Sequence, residues 1–222
     1  TVAGVCQFIW DIEADYDLLG EKEDGIFYWP LIRFKIYYEL MQKIGVFGSP
    51  HPQTRPDCRQ KLKSLVSFAS SCTLKNPFFI RQKKYQYAIF PHPRQVNGSD
   101  IYSQKVIYKI GVDNAILFYE TWAGSQYPKS YNMGQTLRPF RFWVLLMTKI
   151  RGVTLSKGTE IRLSEIEDLI KKYFDLDIAL KKKAFISMKL FQYSVIAFKR
   201  LFVKLGIQKI YLVIGYENMN QA

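Results

Sequence analysis

The sequence predicts an α/β fold in which a parallel sheet is flanked by helices and preceded by a helical subregion. Three short apolar and aromatic runs, at 85–90, 114–119 and 208–214, lack helical spacing and have the composition of buried strands. Segments with helical spacing separate the second run from the third, and parallel strands need such long connections. With 222 residues, 48% of them apolar, the chain can bury a substantial core.

The first predicted element is a helix at about 30–44. Pro30 stands where the first turn of a helix tolerates proline. Apolar side chains cover most of the circumference, so we expect the helix to pack against the α/β domain. Arg33 should then contact a carboxylate, because a buried charge without a partner costs several kcal/mol. A second helix is predicted from Asp57 to Cys72.

The remaining helical patterns lie at about 139–150, 164–175 and 178–205. Ser164 resembles the first residue of a capping box and predicts the start of the second of these. The third contains lysines interleaved with aromatic residues. Aromatic residues at this spacing indicate a core face more often than a contact with an anionic membrane, and both alternatives remain open.

These elements divide the chain into two predicted parts. Residues 1–75 comprise an acidic N-terminal segment and the helical subregion, and residues 76–222 form the α/β domain. The net charge is +13, but residues 1–24 alone carry −6, which leaves +19 for the rest. A strongly basic body favours anionic partners such as nucleic acid, acidic lipid headgroups, or phosphorylated or carboxylated small molecules.

Several classes of protein are excluded by what the sequence lacks. Its three cysteines form no CxxC pair and it has two histidines, so zinc ribbons and multi-histidine metal sites are not expected. The phosphate-binding loop, the dinucleotide-binding glycine motif and the HExxH and GxSxG motifs are also missing. We therefore predict no metal and no bound cofactor. No segment has the 18 or more apolar residues of a membrane span.

Candidate functional side chains follow each predicted strand, because ligands of α/β proteins bind at the carboxyl ends of the strands. These residues are His92 and Arg94 after the first strand, Glu120 and Trp122 after the second, and Tyr216 and Glu217 after the third. Arginine can bind a phosphate or carboxylate, and histidine or glutamate can transfer a proton. The structural alternatives are that His92 caps a turn and that Arg94 pairs with Glu120 or Asp100.

Three sequence blocks resemble a known family. DYDLLGEKEDGIFYWPLIRFKIYYEL at 15–40 is similar to the opening of large proteins encoded in bacterial capsule and O-antigen gene clusters, with an Asp-Gly pair followed by WPLIRF. YAIFPHPRQV resembles the strand of that family that precedes a His-Pro-Arg element, and KIYLVIGYENMN resembles a later strand that ends in tyrosine. The further Q-H-G motif of the family is absent from this sequence.

This resemblance implies a glycosyltransferase of the GT-B type, in which two Rossmann-like halves enclose a cleft, with this chain as the N-terminal half. In such enzymes the N-terminal half binds mainly the acceptor and the C-terminal half holds the nucleotide sugar. The implied partners are a nucleotide sugar and an oligosaccharide or polysaccharide acceptor. Glu120 and His92 would be catalytic, and Arg94, Trp122, Tyr216 and Glu217 would bind substrate.

Two other functions remain open on the sequence alone. One is a nucleic-acid-binding protein without catalysis, which the basic body supports although no recognised RNA- or DNA-binding motif is present. The other is a peripheral interaction module that docks through the helix at 178–205. The expected location is the cytoplasm, with peripheral contact at the inner face of the plasma membrane.

Overall fold

A computed structural model describes residues 1–47, 76–78, 83–90, 101–119 and 130–212, together with Val66 and Ala69, which are helical. The chain divides into two compact units. The first comprises residues 1–56 and 144–190, and the second comprises residues 57–143 and 191–222. Residues 144–190, which the sequence analysis assigned to the α/β domain, thus belong to the first unit. The predicted boundary at 75/76 falls where residues 76–78 begin a described stretch, and it stays a prediction.

The described elements are, in chain order, α1 (Val2–Asp15), β1 (Lys22–Glu23), β2 (Ile26–Phe27), α2 (Tyr28–Lys43), β3 (Tyr87–Phe90), α3 (Ile101–Ile110), β4 (Ala115–Tyr119), β5 (Ser130–Asn132), α4 (Met133–Thr136), α5 (Arg138–Arg151), α6 (Lys157–Phe174), α7 (Leu180–Leu205) and β6 (Lys209–Leu212). A single 3-10 turn precedes β4. Helices α5 and α7 each contribute residues to both units. No described helix is both long and apolar enough to cross a membrane.

The core of the first unit is built by helices. Helix α1, which the sequence analysis did not predict, contributes Val5, Ile9 and Ile12 from one face. These residues pack with the buried face of α2, with α6 and with the first turns of α7. The predicted helix at 30–44 is therefore confirmed as buried, and it packs with α6 and α7, which lie in the segment predicted as the α/β domain. Its core neighbours are helices of its own unit, because α1 supplies the complementary apolar stripe.

Glu13 holds α1 and α2 together. Its carboxylate accepts a hydrogen bond of 2.7 Å from the Trp29 indole N–H, and the same oxygen lies 2.7 Å from Nε of Arg33. The expectation that Arg33 contacts a carboxylate is confirmed. Trp29 and Arg33 are four residues apart, so one helix face directs both donors at one buried acceptor.

A hairpin connects these helices to α6. Strands β1 and β2 pair antiparallel around Asp24 and Gly25, whose φ angles of 50° and 76° are those of a tight turn with two left-handed residues. In β1, Glu23 accepts hydrogen bonds from the backbone N–H and hydroxyl of Ser156 and from the hydroxyl of Thr159.

The predicted start of the helix at Ser164 is wrong, because α6 begins seven residues earlier at Lys157. Ser156 is the N-cap, and its hydroxyl accepts from the Thr159 N–H. Ser164 lies inside the helix and donates its hydroxyl to the carbonyl of Glu160. The other helix predictions at 139–150 and 178–205 are confirmed to within two residues at each end.

The second unit contains a four-stranded sheet in the order β5–β4–β3–β6, with every neighbouring pair parallel. The prediction that the three apolar runs form one parallel sheet is confirmed. Side chains alternate between the faces. Ala88, Phe90, Ile116 and Phe118 pack against α7, whereas Ile89, Ala115 and Leu117 pack against Ile107 of α3. Helices thus flank both faces, as parallel sheets require.

Candidate functional site

The strand ends define the candidate site. Phe90 at the end of β3 pairs with Leu212 at the end of β6, and Ile89 pairs with Leu117 of β4. Because all strands are parallel, their carboxyl ends lie at one edge of the sheet. The chain segments that carry the predicted functional residues leave the sheet from this edge.

The strand order marks one position on this edge. From β3 the chain adds β4 and then β5 on one side, and it returns to add β6 on the other side of β3. The connection from β3 to β4 contains α3 on one face, and the connection to β6 ends with α7 on the opposite face. In α/β sheets a crevice opens where successive connections diverge in this way. Here the position lies between β3 and β6.

The predicted site residues follow these strands but lie outside the described residues. They are His92, Arg94, Glu120, Trp122, Tyr216 and Glu217. His92 and Arg94 come two and four positions after the end of β3, and Tyr216 comes four positions after the end of β6. Glu120 directly follows β4, one strand away. The structure brings together the strand ends that precede these residues, and the convergence of their side chains stays a prediction.

A second feature of this unit is an open groove of about 660 Å³ beside α7. Its lining residues are Phe78, Pro139, Phe140, Trp143, Tyr193, Ile196, Ala197, Arg200, Leu201 and Lys204. The floor is apolar, and it includes an edge-to-face pair formed by the half-buried Phe78 and Phe140, with ring centroids 5.1 Å apart. We call this feature the α5–α7 groove.

The rim of the α5–α7 groove exposes large apolar side chains. Trp143 is 54% exposed, Tyr193 41% and Ile196 48%. The sequence analysis did not identify this groove. A signal was present, however, because Tyr193, Ile196, Arg200 and Lys204 recur at helical spacing along one stripe of α7.

One wall of the groove is fixed by polar contacts to the backbone. The ammonium group of Lys204 donates to the carbonyl oxygens of Phe78 at 2.7 Å and Pro77 at 3.3 Å. Asn76 donates to the carbonyl of Thr136 and accepts from the Phe78 N–H. Arg200, by contrast, forms no hydrogen bond or ion pair with another described residue, so its charge is available at the groove.

The groove extends toward the carboxyl edge of the sheet. The Tyr85 N–H, just before β3, donates to the carbonyl of Leu205 at the end of α7. The ring of Phe198 lies 6.2 Å from that of Phe90 at the other end of β3. Helix α7 therefore runs antiparallel to β3. Tyr193 lies a further five residues along, about 7.5 Å at the rise of an α-helix, beyond the carboxyl end of the strand.

Two tyrosines of the sheet region stay neutral at physiological pH. Burial raises the pKa of Tyr85, and the negative charge of Asp113 raises it further. Burial likewise raises the pKa of Tyr131 in β5. The hydroxyl of Tyr85 has no hydrogen-bond partner among the described residues. Neither group is suited to act as a base.

Among the described residues, no three His, Cys, Asp or Glu side chains form a group that could hold a metal ion. No known protein family, curated protein or solved structure matches this chain.

Proposed function

We propose that this chain is the acceptor-side half of a glycosyltransferase-like protein of bacterial capsule or O-antigen biosynthesis, with a Rossmann-like sheet as its scaffold. The observation that carries the proposal is the strand order. The chain places β4 and β5 on one side of β3 and then places β6 on the other side. Doubly wound folds that bind nucleotides or sugars use this arrangement for their ligand crevice. The same two strands belong to sequence blocks that resemble the capsule and O-antigen proteins.

Each predicted site residue has a role in this proposal. Arg94 binds a phosphate or carboxylate through its planar fork of donors. His92 and Glu120 transfer the proton that leaves the acceptor hydroxyl during glycosyl transfer. Trp122, Tyr216 and Glu217 contact the sugar rings, for which aromatic faces offer flat apolar platforms and carboxylates offer hydrogen bonds. The reaction needs a nucleotide sugar and a saccharide acceptor, and its proposed location is the cytoplasmic face of the inner membrane.

The first test is the binding of nucleotide sugars and acidic oligosaccharides to the wild-type chain and to Arg94→Ala, measured by calorimetry. We expect Arg94→Ala to weaken binding of an anionic ligand by about 1.5–3 kcal/mol, the range for hydrogen bonds to charged groups. Arg151→Ala, which removes an exposed arginine at the end of α5, should leave affinity unchanged. Unchanged affinity with lost thermal stability in Arg94→Ala would identify Arg94 as a structural ion-pair partner instead.

The salt dependence of binding separates this function from nucleic-acid binding. Contacts to several phosphates of a nucleic acid give an affinity that falls steeply with salt, whereas stacking on sugars does not. Tight, salt-sensitive binding of RNA or DNA, with no binding of any saccharide or nucleotide sugar, would reject the proposal.

A further inference from the structure

The rim of the α5–α7 groove is a surface that nothing in the described structure covers. Trp143, Tyr193 and Ile196 are each between 41% and 54% exposed, and all three line the groove. Scattered exposed apolar residues are normal, but a contiguous group around an apolar groove marks an interaction surface. Aliphatic and aromatic side chains together suit an apolar partner better than a nucleic acid, which offers base faces and phosphates.

The two helices that form this surface carry basic residues and no acidic ones. Residues 121–159 and 178–216, which include all of α5 and α7, contain no aspartate or glutamate. Arg200 lines the groove and has no ion-pair partner among the described residues, and Lys204 lines it beside the backbone carbonyls that it binds. These basic side chains favour a partner that carries negative charge.

An anionic lipid surface offers both an apolar interior and negative charge. Tryptophan and tyrosine favour the boundary between headgroups and acyl chains, because their rings are apolar and their N–H or O–H groups stay hydrogen-bonded. Arginine next to them can bind lipid phosphates, and each basic residue near such a surface adds to the affinity.

We propose that the rim of the α5–α7 groove docks this protein on an anionic membrane surface, with Trp143, Tyr193 and Ile196 in the interface and Arg200 against lipid phosphates. This docking face differs from the one that the sequence suggested. Phe198 and Phe202 of α7 belong to the core around the sheet, so the proposed docking face uses the neighbouring stripe of the helix. The inference stands apart from the proposed transferase activity, since it uses neither a saccharide nor the residues after the strands.

The opposite face of the same unit supplies matched controls. Helix α3 packs on the other side of the sheet and exposes Lys105 and Tyr108, the latter by 72%. Arg200→Glu and Lys105→Glu change the charge by the same amount on the two faces. Tyr193→Ala and Tyr108→Ala each remove one exposed tyrosine.

The experiment measures co-sedimentation of the full chain with vesicles of phosphatidylglycerol and phosphatidylcholine, or of phosphatidylcholine alone. We expect binding to the anionic vesicles and at least tenfold weaker binding to the neutral ones. Arg200→Glu should lower the partition coefficient at least tenfold, since it removes an attraction to the lipid phosphates and adds a repulsion. Tyr193→Ala should lower it several-fold, and the α3 variants should bind like wild type.

Contact of Trp143 with the acyl chains can be measured directly, by a signal that an unfolded variant would not give. Lipids brominated on the acyl chain quench tryptophan that reaches the interface, and Trp143→Phe, which keeps the apolar ring, should abolish most of this quenching while vesicle binding persists. The proposal is overturned if the chain does not bind anionic vesicles, if the α3 and α7 variants lose binding equally, or if Trp143→Phe leaves the quenching unchanged. Binding to RNA with no vesicle binding would also overturn it.

Discussion

Glu23 offers the sharpest test of how the first unit is held together. This carboxylate is 8% exposed and accepts hydrogen bonds of 2.8 Å from the Ser156 N–H, 2.6 Å from the Ser156 hydroxyl and 2.6 Å from the Thr159 hydroxyl. It joins the hairpin to the first turn of α6, which is 133 residues away in the sequence. The expected perturbation is Glu23→Gln, because glutamine keeps the volume and removes the charge.

The magnitude follows from the contacts. A hydrogen bond to a charged group contributes about 1.5–3 kcal/mol and one between neutral groups about 0.5–1.5 kcal/mol. The glutamine carbonyl can still accept from one donor, while its NH₂ group faces hydroxyls that donated to the carboxylate. We therefore expect Glu23→Gln to lower the free energy of unfolding by about 2 kcal/mol at pH 7. Glu165→Gln, an exposed substitution on the same helix, should change it by less than about 0.5 kcal/mol.

The effect should depend on pH in a defined direction. Burial alone would raise the pKa of Glu23, but the hydrogen bonds from Ser156 and Thr159 outweigh it and hold the pKa below the ordinary value of 4.5. A carboxyl whose pKa is lowered by folding stabilises the folded state above its unfolded pKa, and this contribution is lost as the pH falls through the folded pKa. The difference between wild type and Glu23→Gln should therefore shrink below pH 4.5.

Urea denaturation of wild type, Glu23→Gln and Glu165→Gln at pH 7 and in acid measures this difference. A Glu23→Gln variant as stable as Glu165→Gln at pH 7 would refute the reasoning. A destabilisation that stays the same in acid would show that the lost contact does not involve the ionised carboxylate.

Three further substitutions test the backbone and the core. Gly25→Ala should lower stability by about 1 kcal/mol, because Gly25 has a φ of +76° and no atom near the added methyl group, so backbone strain acts alone. Gly158→Ala, in the first turn of α6 with equally open surroundings, should raise stability by about 0.5–1 kcal/mol, and a loss in that variant would contradict the argument. Tyr85→Phe should leave the urea midpoint unchanged or raise it, since the buried hydroxyl has no described partner. A loss of more than about 1 kcal/mol would reveal a hydrogen bond to a residue outside the described part.

The parallel sheet and several helices could be predicted from the sequence because their signals are local. The strand runs are short and apolar, and the long connections between them already require parallel pairing. The helix containing Arg33 could be recognised from its spacing and from Pro30, and the need for a carboxylate partner followed from burial of a charge.

Other features depend on residues that are distant in sequence. Glu23 as a partner of Ser156 and the assignment of 144–190 to the first unit could not be predicted, because no local pattern records which distant segment covers a given face. Ser164 shows the same limit, since a capping sequence inside a helix forms no cap when the preceding turn is already helical.

The candidate sites also depend partly on local sequence and partly on tertiary structure. The sequence by itself determined which residues follow the strands and that parallel strands present their carboxyl ends at one edge. Only the tertiary structure decided that β6 lies beside β3, which sets the position of the expected crevice. The groove also depends on tertiary structure, because its rim joins Trp143 of α5 to a stripe of α7 some fifty residues later. Helical spacing fixes which side chains share a face, whereas packing of the whole chain decides which of those faces stay exposed.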